Sequence, residues 1–430
     1  MAPGLAARLG AGEGIGGAAP AAVARPDAVT EAAPSQRSLR GLDWFSFFLA
    51  DIQTGFGPFV AVYLTTQSWT QVDIGLILTA GGLVSLAGQM PGGALVDAMR
   101  SARFAISVAV IAICLSALAI AVWPVFPIVF GARALHAAAS CVLGPAIAAI
   151  SLGLVGHAAL GERIGRNARF ASIGCGFAAA AMGACGHLIS NQAVFLLTAV
   201  MVVPALVALV RIRPGEIVPR LPRGEEYRPG STGFRQLICN RRLILFAACM
   251  VLFQLANAAM LPLEASMLTL RSAEWAATII AVCMVVPQLV VAGCAPWVGR
   301  QAQARGRRPL LLVCFAALAL RGVLFAFVAD PNLVVAAQVL DGVSAAILGI
   351  VFPLVVADIT RDTGRFNLAL GIVGSAIGIG ASLSTTLAGY MVDHLGSRAT
   401  FLSLAGVAAA GILLVWLLMP ETRPDRDSRS

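Results

Sequence analysis

Three ionisable side chains, Asp51, Arg133 and Asp341, lie inside long apolar runs of this 430-residue sequence. An ionised side chain in hydrocarbon costs at least about 2.5–3.5 kcal/mol, so such residues pair with a partner or face water. Burial favours the protonated form of a carboxyl group, whereas a nearby arginine favours the ionised form. A carboxylate that alternates between these settings can bind and release a proton. Asp51 is therefore the leading candidate for proton coupling, and Asp341 is the second.

Each of these residues also has a structural interpretation. A static ion pair between Asp51 and Arg133 would hold two helices together, and Arg133 could instead bind an anionic group or extend to the membrane surface. His136 follows Arg133 by one helical turn and shares its face, so it either joins the same site or is a hydrogen-bonded structural residue. Arg321 lies in another apolar run, where a structural pair or extension to the surface is the favoured interpretation.

The composition predicts the class of protein that positions these residues. Hydrophobic residues make up 59% of the chain, mean hydropathy is +0.87 and 12% of residues are charged, whereas about 25% are charged in globular domains. Apolar runs recur that are long enough to cross about 30 Å of hydrocarbon. The expected fold is all-α, a polytopic membrane protein with twelve transmembrane helices. The predicted spans are approximately 43–65, 71–98, 103–123, 126–155, 164–188, 191–211, 243–265, 275–299, 309–329, 332–360, 366–393 and 397–419.

The distribution of arginine predicts how the chain lies in the membrane. All 30 basic residues are arginines, and all but Arg133, Arg271, Arg321 and Arg398 fall in the tails or in alternate connections between spans. Because arginine-rich connections stay in the cytoplasm, we expect both termini there. The net charge of +9 is then an orientation signal, and no nucleic-acid partner is expected.

The longest polar connection, 212–242, is rich in Pro, Gly and charge, which is typical of a linker. The expected domains follow from it. They are a disordered tail (1–40), a first six-helix half (41–211), the linker (212–242), a second six-helix half (243–420) and a short tail (421–430).

A glycine followed by a charged turn recurs along the chain. Gly93–Arg103 reads GALVDAMRSAR between two apolar runs, and degraded copies begin at Gly183, Gly299 and Gly389. The first two glycines and the last two are each 90 residues apart (183 − 93 and 389 − 299). This self-similarity indicates two halves, each built from two similar units.

The two halves also align in register. An offset of 208 residues places Arg133 on Asp341 and Pro145 on Pro353. Parallel halves of six spans, each split into inverted three-span units, are a known plan for transporters.

These motifs resemble those of the major facilitator superfamily across about residues 42–420. The signature of that superfamily between spans 2 and 3 is a glycine, an aspartate four residues later, a second glycine and basic residues. Gly93, Asp97, Arg100 and Arg103 match it, although the second glycine is absent.

The copy of this signature between spans 8 and 9 holds Gly299, Gly306, Arg307 and Arg308, and Gln303 replaces the acid. The first half therefore keeps the aspartate of the signature, and the second half has lost it.

Span 4 resembles the arginine motif of the superfamily, because Arg133 lies six residues after Pro127 and the pair Gly144-Pro145 closes the pattern. The antiporter signature in span 5 requires a Gly-Pro pair. No proline lies between Pro145 and Pro204, so that signature is missing, which argues against drug–proton antiport.

The resemblance implies that spans 1, 4, 7 and 10 line a central cavity. Their polar residues are then candidates for substrate binding and coupling: Asp51, Gln53, Thr54, Arg133, His136, Gln254, Asn257 and Asp341.

The resemblance also places Asp97 near Phe366, at the start of span 11. The partial positive charge of a helix N-terminus stabilises an aspartate by about 0.3–1 kcal/mol. A bond of this kind made in one state only would latch the two halves, and an ordinary helix-terminal aspartate is the alternative. The candidate latch residues are Gly93, Asp97, Arg100, Arg103, Gly299, Arg307 and Arg308.

The sequence therefore predicts a secondary transporter of the bacterial inner membrane that moves a small molecule by alternating access, with proton-coupled efflux as the preferred direction. Proton-coupled uptake and a transport-inactive receptor or assembly factor on the same fold are the alternatives.

The chain has no lysine and so no Walker motif, and we expect neither ATP hydrolysis nor enzyme activity. The nine cysteines form no CxxC pair, so no metal or cofactor is expected. The expected partners are a small molecule, protons and the lipid bilayer, and the expected state is a monomer.

The arginine bias generates a first testable prediction. A reporter enzyme fused near Gly224 should lie in the cytoplasm, and one fused between Ser190 and Asn191 should lie in the periplasm. Alkaline phosphatase and green fluorescent protein fusions at both sites measure this directly. If both sites report the same compartment, the twelve-span topology is wrong.

Overall fold

The computed structural model describes most of the chain from Pro34 to Thr422, and within it every long element is an α-helix. The residues outside the description are 1–33, 55–59, 61–62, 65, 70, 100, 219–236, 238, 272, 329, 362, 364 and 423–430. The side chains of 51, 54, 71–72, 75, 183, 187, 265–266, 268–271 and 273–281 are outside it as well.

Twelve helices and one 3-10 turn follow one another in the described part of the chain. They are α1 (Gln36–Thr54), α2 (Gln71–Ala98), α3 (Ala102–Val122), α4 (Phe126–Leu188), α5 (Asn191–Arg211), the 3-10 turn (Pro214–Glu216), α6 (Arg241–Asn257), α7 (Met260–Arg271), α8 (Ala273–Arg305), α9 (Arg308–Phe327), α10 (Pro331–Ile359), α11 (Phe366–Leu395) and α12 (Ser397–Leu418).

Short polar side chains mark where several helices begin. Ser101, Ser190, Asn240 and Asp330 precede α3, α5, α6 and α10, and a side-chain oxygen of each accepts a backbone N–H of the first turn. The first turn of a helix leaves backbone N–H groups without partners inside the helix, so these caps stabilise each start. The apolar runs between the caps then continue as helices.

Helix α4 contains 63 residues and consists of two membrane-length segments, which we call legs. Gly156 interrupts it with φ 67° and ψ 175°, a conformation that is essentially restricted to glycine. The legs on either side correspond to the predicted spans 126–155 and 164–188. The turn thus comes from a single glycine.

The predicted span 7 consists of two helices, α6 and α7. The backbone N–H of Ala259, between them, donates to the Ser384 Oγ of α11 at 3.0 Å. A side chain of a neighbouring helix therefore satisfies a donor that the break removes from the helical ladder.

With α4 counted as two legs and α6 with α7 as one, the fold has the predicted twelve legs in two halves of six. Each half has its own apolar core, and the core of the second half also includes Leu152, Leu160 and Ile164 of α4. Nine helices among the described residues are long and apolar enough to cross a membrane. Large apolar side chains such as Leu83, Phe104 and Trp416 are exposed on the outside, as expected of a surface that faces lipid.

One end of the bundle carries most of the arginines. At this end α1, α3, α6, α9 and α11 begin, α2, α5, α8, α10 and α12 finish, and α4 turns at Gly156. We call it the arginine-rich end.

The structure differs in detail from the predicted domain limits at this end. Helix α1 begins at Gln36, inside the predicted tail, and the first residues of the predicted linker pack on the first half. The Glu216 carboxylate accepts hydrogen bonds from the N–H (3.0 Å) and hydroxyl (2.9 Å) of Ser35. Hydrogen bonds from Ser38 and Ser35 lower the pKa of the Glu216 carboxyl group. Polar contacts of this kind are not visible to a prediction based on apolar runs.

Two glycines in the second leg of α4 give a matched test of this packing. A Cβ at Gly174 would lie 2.3 Å from the Phe47 carbonyl oxygen of α1, whereas a Cβ at Gly176 would have no atom within 4 Å. We expect Gly174→Ala to destabilise the protein by about 1–3 kcal/mol through overpacking. We expect Gly176→Ala to stabilise it by about 0.5–1 kcal/mol, because alanine favours the helix. Melting temperatures of the detergent-purified variants check both, and equal shifts would contradict the packing of α4 on α1.

Candidate transport site and interhelical seams

The first candidate feature is the contact between the end of α2 and the start of α11. The Asp97 carboxylate accepts the backbone N–H of Leu368 at 2.8 Å and of Asn367 at 3.3 Å, and the side-chain amide of Asn367 at 2.7 Å. These N–H groups belong to the first turn of α11, where they have no partner inside the helix. Asp97 thus compensates the positive end of a helix in the other half, at the position that the resemblance implied.

Glycines allow the backbones of α2 and α11 to touch along this contact. A Cβ at Gly93 would lie 2.0 Å from the Asn367 carbonyl oxygen, and one at Gly371 would lie 2.3 Å from the Gln89 carbonyl oxygen. Real Cβ atoms essentially never approach that closely. Without these glycines, Asp97 could not reach the start of α11. We call this contact the α2–α11 seam.

A second seam joins α4 to α8, and glycines line it too. A Cβ at Gly299 would lie 2.2 Å from the Gly161 carbonyl oxygen, and one at Gly161 would lie 2.7 Å from the Gly299 carbonyl oxygen. Gln303, which replaces the acid of the repeated signature, donates from its Nε2 to the His157 carbonyl oxygen at 3.0 Å. The α4–α8 seam therefore carries a neutral amide–carbonyl hydrogen bond where the α2–α11 seam carries an anion at a helix start.

The predicted latch arginines make their described contacts inside their own half and not across a seam. The Arg103 Nη2 donates to the Leu209 carbonyl oxygen at the end of α5, at 3.3 Å, and Arg100 lies outside the described residues. The Arg307 Nε lies 2.9 Å from the Asp358 Oδ2 in an ion pair that is almost fully buried. These arginines therefore tie helices together inside each half, and the described side-chain hydrogen bonds across the seams come from Asp97 and Gln303.

Arg308, like Arg307, makes its contacts within the second half. The Glu421 carboxylate accepts the backbone N–H of Arg307 at 2.8 Å and that of Arg308 at 3.1 Å. Gly306 makes this approach possible, since it has φ 100° and its Cβ position lies 2.4 Å from a Glu421 oxygen. The start of α9 is thereby fixed to the segment that follows α12.

A buried charged network that we did not predict joins α1 to the second leg of α4. Asp43 is 1% exposed and binds the guanidinium groups of both Arg163 and Arg166. The Asn167 Oδ1 accepts from the Arg163 Nε at 2.9 Å, and the Asn167 Nδ2 donates to the Ser151 Oγ at 2.9 Å. The sequence carries one weak signal of this network, since residues 163, 166 and 167 share a helix face. The orientation rule accounts for both arginines without any buried partner.

A cavity of about 380 Å³ lies next to this network and next to the α2–α11 seam. Residues of α1, α2, both legs of α4, α10 and α11 line it, and Pro145 and Pro353, which align between the halves, are both in its wall. Of the predicted cavity residues, Gln53 lines it. The described polar lining residues are Ser46, Gln53, Gln89, Ser151 and Asn167.

Asp341 and Asn257 meet in the second half, around an arginine that the sequence did not assign to the site. The Arg321 Nη1 forms an ion pair with the Asp341 carboxylate and donates to the Asn257 Oδ1 at 2.8 Å. The Arg321 side chain is 2% exposed and the Asp341 side chain is 22% exposed. The structural pair expected for Arg321 is therefore a pair with a candidate coupling residue, because α9 turns this side chain toward α6 and α10.

Other buried polar groups of the second half lie around Arg321. Cys283 of α8 lies beside Gln338 and within electrostatic range of both Glu264 and Arg321. Glu264 is 2% exposed and is therefore buried in this half. Five helices thus contribute polar atoms to the interior of this half.

The remaining predicted cavity residues lie apart from the described lining. Arg133 is half-buried against α2, with its Nη2 3.2 Å from the Cβ position of Gly81, and His136 is half-buried one turn further on. Gln254 packs against Gly380 of α11. The side chains of Asp51 and Thr54 lie outside the described part of the structure, and so does the predicted pair of Asp51 with Arg133.

Comparison with known proteins identifies the family. The model of the Major Facilitator Superfamily matches residues 44–299 and 254–430. This chain belongs to the major facilitator superfamily. An "uncharacterized MFS-type transporter" of Mycobacterium tuberculosis strain H37Rv is 39% identical over 402 residues, which cover 91% of this chain and 96% of the relative.

A more distant relative and a solved structure extend this comparison. The class B tetracycline resistance protein of Escherichia coli is 28% identical over 134 residues, 31% of this chain and 33% of that protein. The proton:xylose symporter XylE has the same fold, with a TM-score of 0.70 at 15% identity, over 90% of this chain and 95% of that one. The chain is thus an MFS transporter, and these comparisons leave its substrate open.

The α2–α11 seam generates a prediction for this MFS transporter. Asp97→Asn keeps the shape of the side chain but removes the charge that binds the start of α11, an interaction worth about 0.3–2 kcal/mol. We expect the seam to open several-fold more often. The measurement is labelling by a membrane-impermeant maleimide of a single cysteine at Ala94, in a background without the native cysteines.

The control for this experiment is Asp393→Asn, which changes an exposed aspartate near the end of α11. It should leave the labelling unchanged. Labelling of Asp97→Asn at the rate of the parent protein would assign Asp97 to the role of an ordinary helix-terminal aspartate.

Proposed function

We propose that this MFS transporter moves a small molecule out of the cell by alternating access, driven by the proton gradient, as a monomer in the bacterial inner membrane. The observation that carries the proposal is the pair of seams beside the cavity. Gln89 belongs to the α2–α11 seam and also lines the cavity, so separation of the seam opens the cavity toward the arginine-rich end. The arginine bias supports a cytoplasmic location for that end.

The ion pair in the second half supports proton coupling. Asp341 is partly exposed, whereas Arg321 is buried, so a proton can reach the carboxylate while the guanidinium stays out of water. Neutralising only one member of a buried pair leaves the other charge without compensation, which is costly. Asn257 gives Arg321 a second acceptor, so the guanidinium keeps a hydrogen bond when Asp341 is protonated. Proton binding at Asp341 would thereby change the contacts between α9, α10 and α6.

Two observations bear on the direction of transport. The partial similarity to a tetracycline resistance protein supports efflux as the first candidate. The missing Gly-Pro pair of the antiporter signature favours uptake by proton symport as the second. A transport-inactive receptor is disfavoured, because such a protein has no reason to keep the costly buried charges of Asp341 and Arg321.

Reconstitution into vesicles with an imposed pH gradient tests the proposal. Tetracycline and xylose are the first probes, followed by a panel that contains both uncharged and charged solutes. Accumulation that needs the pH gradient and reverses with its sign supports proton coupling, and the orientation of the reconstituted protein then gives the direction. Movement of every transported solute at a rate independent of the gradient would overturn the coupling.

Neutralising variants identify the coupling residue. We expect Asp341→Asn to abolish gradient-driven transport while downhill exchange continues, since asparagine keeps the shape and removes the titration. Asp51→Asn is the parallel test of the first-half candidate, and exposed Asp393→Asn is the control. A purely structural pair predicts instead that Asp341→Asn lowers the melting temperature and that adding Arg321→Gln restores both stability and gradient-driven transport. Recovery of both in the double variant would remove Asp341 from coupling.

A further inference from the structure

The described wall of the cavity carries no charge. All its polar side chains are hydroxyls or amides, and the rest of the wall is apolar, including Phe352 and Leu370. Behind Asn167 lies a buried ion pair, in which Arg163 is already bound by Asp43. An ion transferred into such a cavity would lose its hydration without gaining a counter-charge from the described wall.

Most of the polar groups in the wall are already engaged in the protein. Asn167 accepts from Arg163 and donates to Ser151, and the Ser46 hydroxyl donates to the Leu42 carbonyl oxygen at 2.9 Å. Asn167 thereby links the wall of the cavity to the charged network of Asp43, Arg163 and Arg166. They leave little hydrogen-bonding capacity for a ligand.

Two amides remain available, Gln53 of α1 and Gln89 of α2. Both line the cavity, and neither has a hydrogen-bond partner among the described residues. Each offers an N–H donor and a carbonyl acceptor. A further acceptor comes from the backbone, because Pro353 has no N–H to donate to the carbonyl oxygen of Gly349, which also lines the cavity.

The polar side chains of the described wall all belong to the first half, whereas its apolar side chains come from both halves. Gln53 and Gln89 are in the first half, and Phe352 and Leu370 are in the second. Phe352 is held in place by stacking on Phe246, with ring centroids 6.4 Å apart. A ligand that fills the cavity therefore contacts both halves. Its hydrogen-bonding groups lie toward Gln53 and Gln89, and its apolar parts lie against the apolar side chains of either half, among them Phe352.

From this arrangement we propose that the cavity is a substrate site for an uncharged amphiphilic molecule, which Gln53 and Gln89 recognise through hydrogen bonds to an amide, hydroxyl or keto group. This inference rests on the proposed transport function and adds the chemical class of the substrate. A volume of about 380 Å³ limits the ligand to the lower part of the usual range for small-molecule sites, about 300–1,000 Å³.

Three probes with one ring system separate charge from shape: quinoline-3-carboxamide, quinoline-3-carboxylate and 3-(aminomethyl)quinoline. Titration calorimetry of the purified full chain in detergent at pH 7.5 measures their affinities. We expect the uncharged carboxamide to bind at least about tenfold more tightly than either charged probe, because the described wall offers no counter-charge. No binding of the carboxamide, or equal binding of a charged probe, would overturn the proposal.

Two substitutions at Gln53 test the recognition itself. Gln53→Ala should weaken carboxamide binding about fivefold, as expected for the loss of a hydrogen bond. Gln53→Glu should reverse the preference toward the aminomethyl probe, since it supplies the missing counter-charge in nearly the same shape. Gln67→Glu, at an exposed turn after α1, is the matched control and should change neither affinity. An unchanged preference in folded Gln53→Glu protein, or an identical shift in Gln67→Glu, would overturn the assignment.

Gln89→Glu provides the same test if Gln53→Glu does not fold. The vesicle assay separates this inference from the proposed function. Gradient-driven transport restricted to charged solutes would overturn the substrate class and leave the transporter intact. Carboxamide binding with the expected response to Gln53 variants, but without gradient-driven transport of any solute, would support the site and overturn the coupling.

Discussion

Direct backbone contact between the two halves is the constraint on which the rest of the structure depends. At the two seams, glycine takes the place of a larger residue at Gly93, Gly371, Gly161 and Gly299, and a Cβ at any of these positions would collide with the backbone of the facing helix. Small residues serve the same purpose generally in membrane helices, where there is no hydrophobic force between helices and close packing provides the attraction. A seam of this kind has close van der Waals contact, and few side-chain hydrogen bonds have to break when its two helices separate.

The two seams are built alike but are bonded differently. Asp97 brings a charge to the start of α11, whereas Gln303 brings a neutral amide to the carbonyl of His157. Charged hydrogen bonds are shorter and roughly twice as strong as neutral ones. The pseudo-symmetry of the fold therefore does not extend to its energetics, and the two seams need not respond equally to ions or to pH.

The cavity and the buried ion pair lie in different parts of the molecule. Gln53 and Gln89 are in the first half, while Arg321, Asp341 and Asn257 are inside the second. If both serve transport as proposed, they communicate through helices that contribute to each. Helix α10 qualifies, since it carries Asp341 on one stretch and the cavity residue Phe352 about three turns later. Coupling would then be a movement of α10 rather than direct contact between proton and substrate.

The sequence by itself determined the membrane class, the twelve legs and the meeting of Asp97 with α11, because hydropathy, glycine spacing and the resemblance are properties of local segments. Only the tertiary structure decided which partners the buried charges take. Asp43 and Arg163 are 120 residues apart, and Arg321 binds Asp341 only because α9 is rotated toward α10. The rotation of a helix depends on packing against all its neighbours. An apolar run that is hydrophobic on every side carries almost no periodic signal of that rotation.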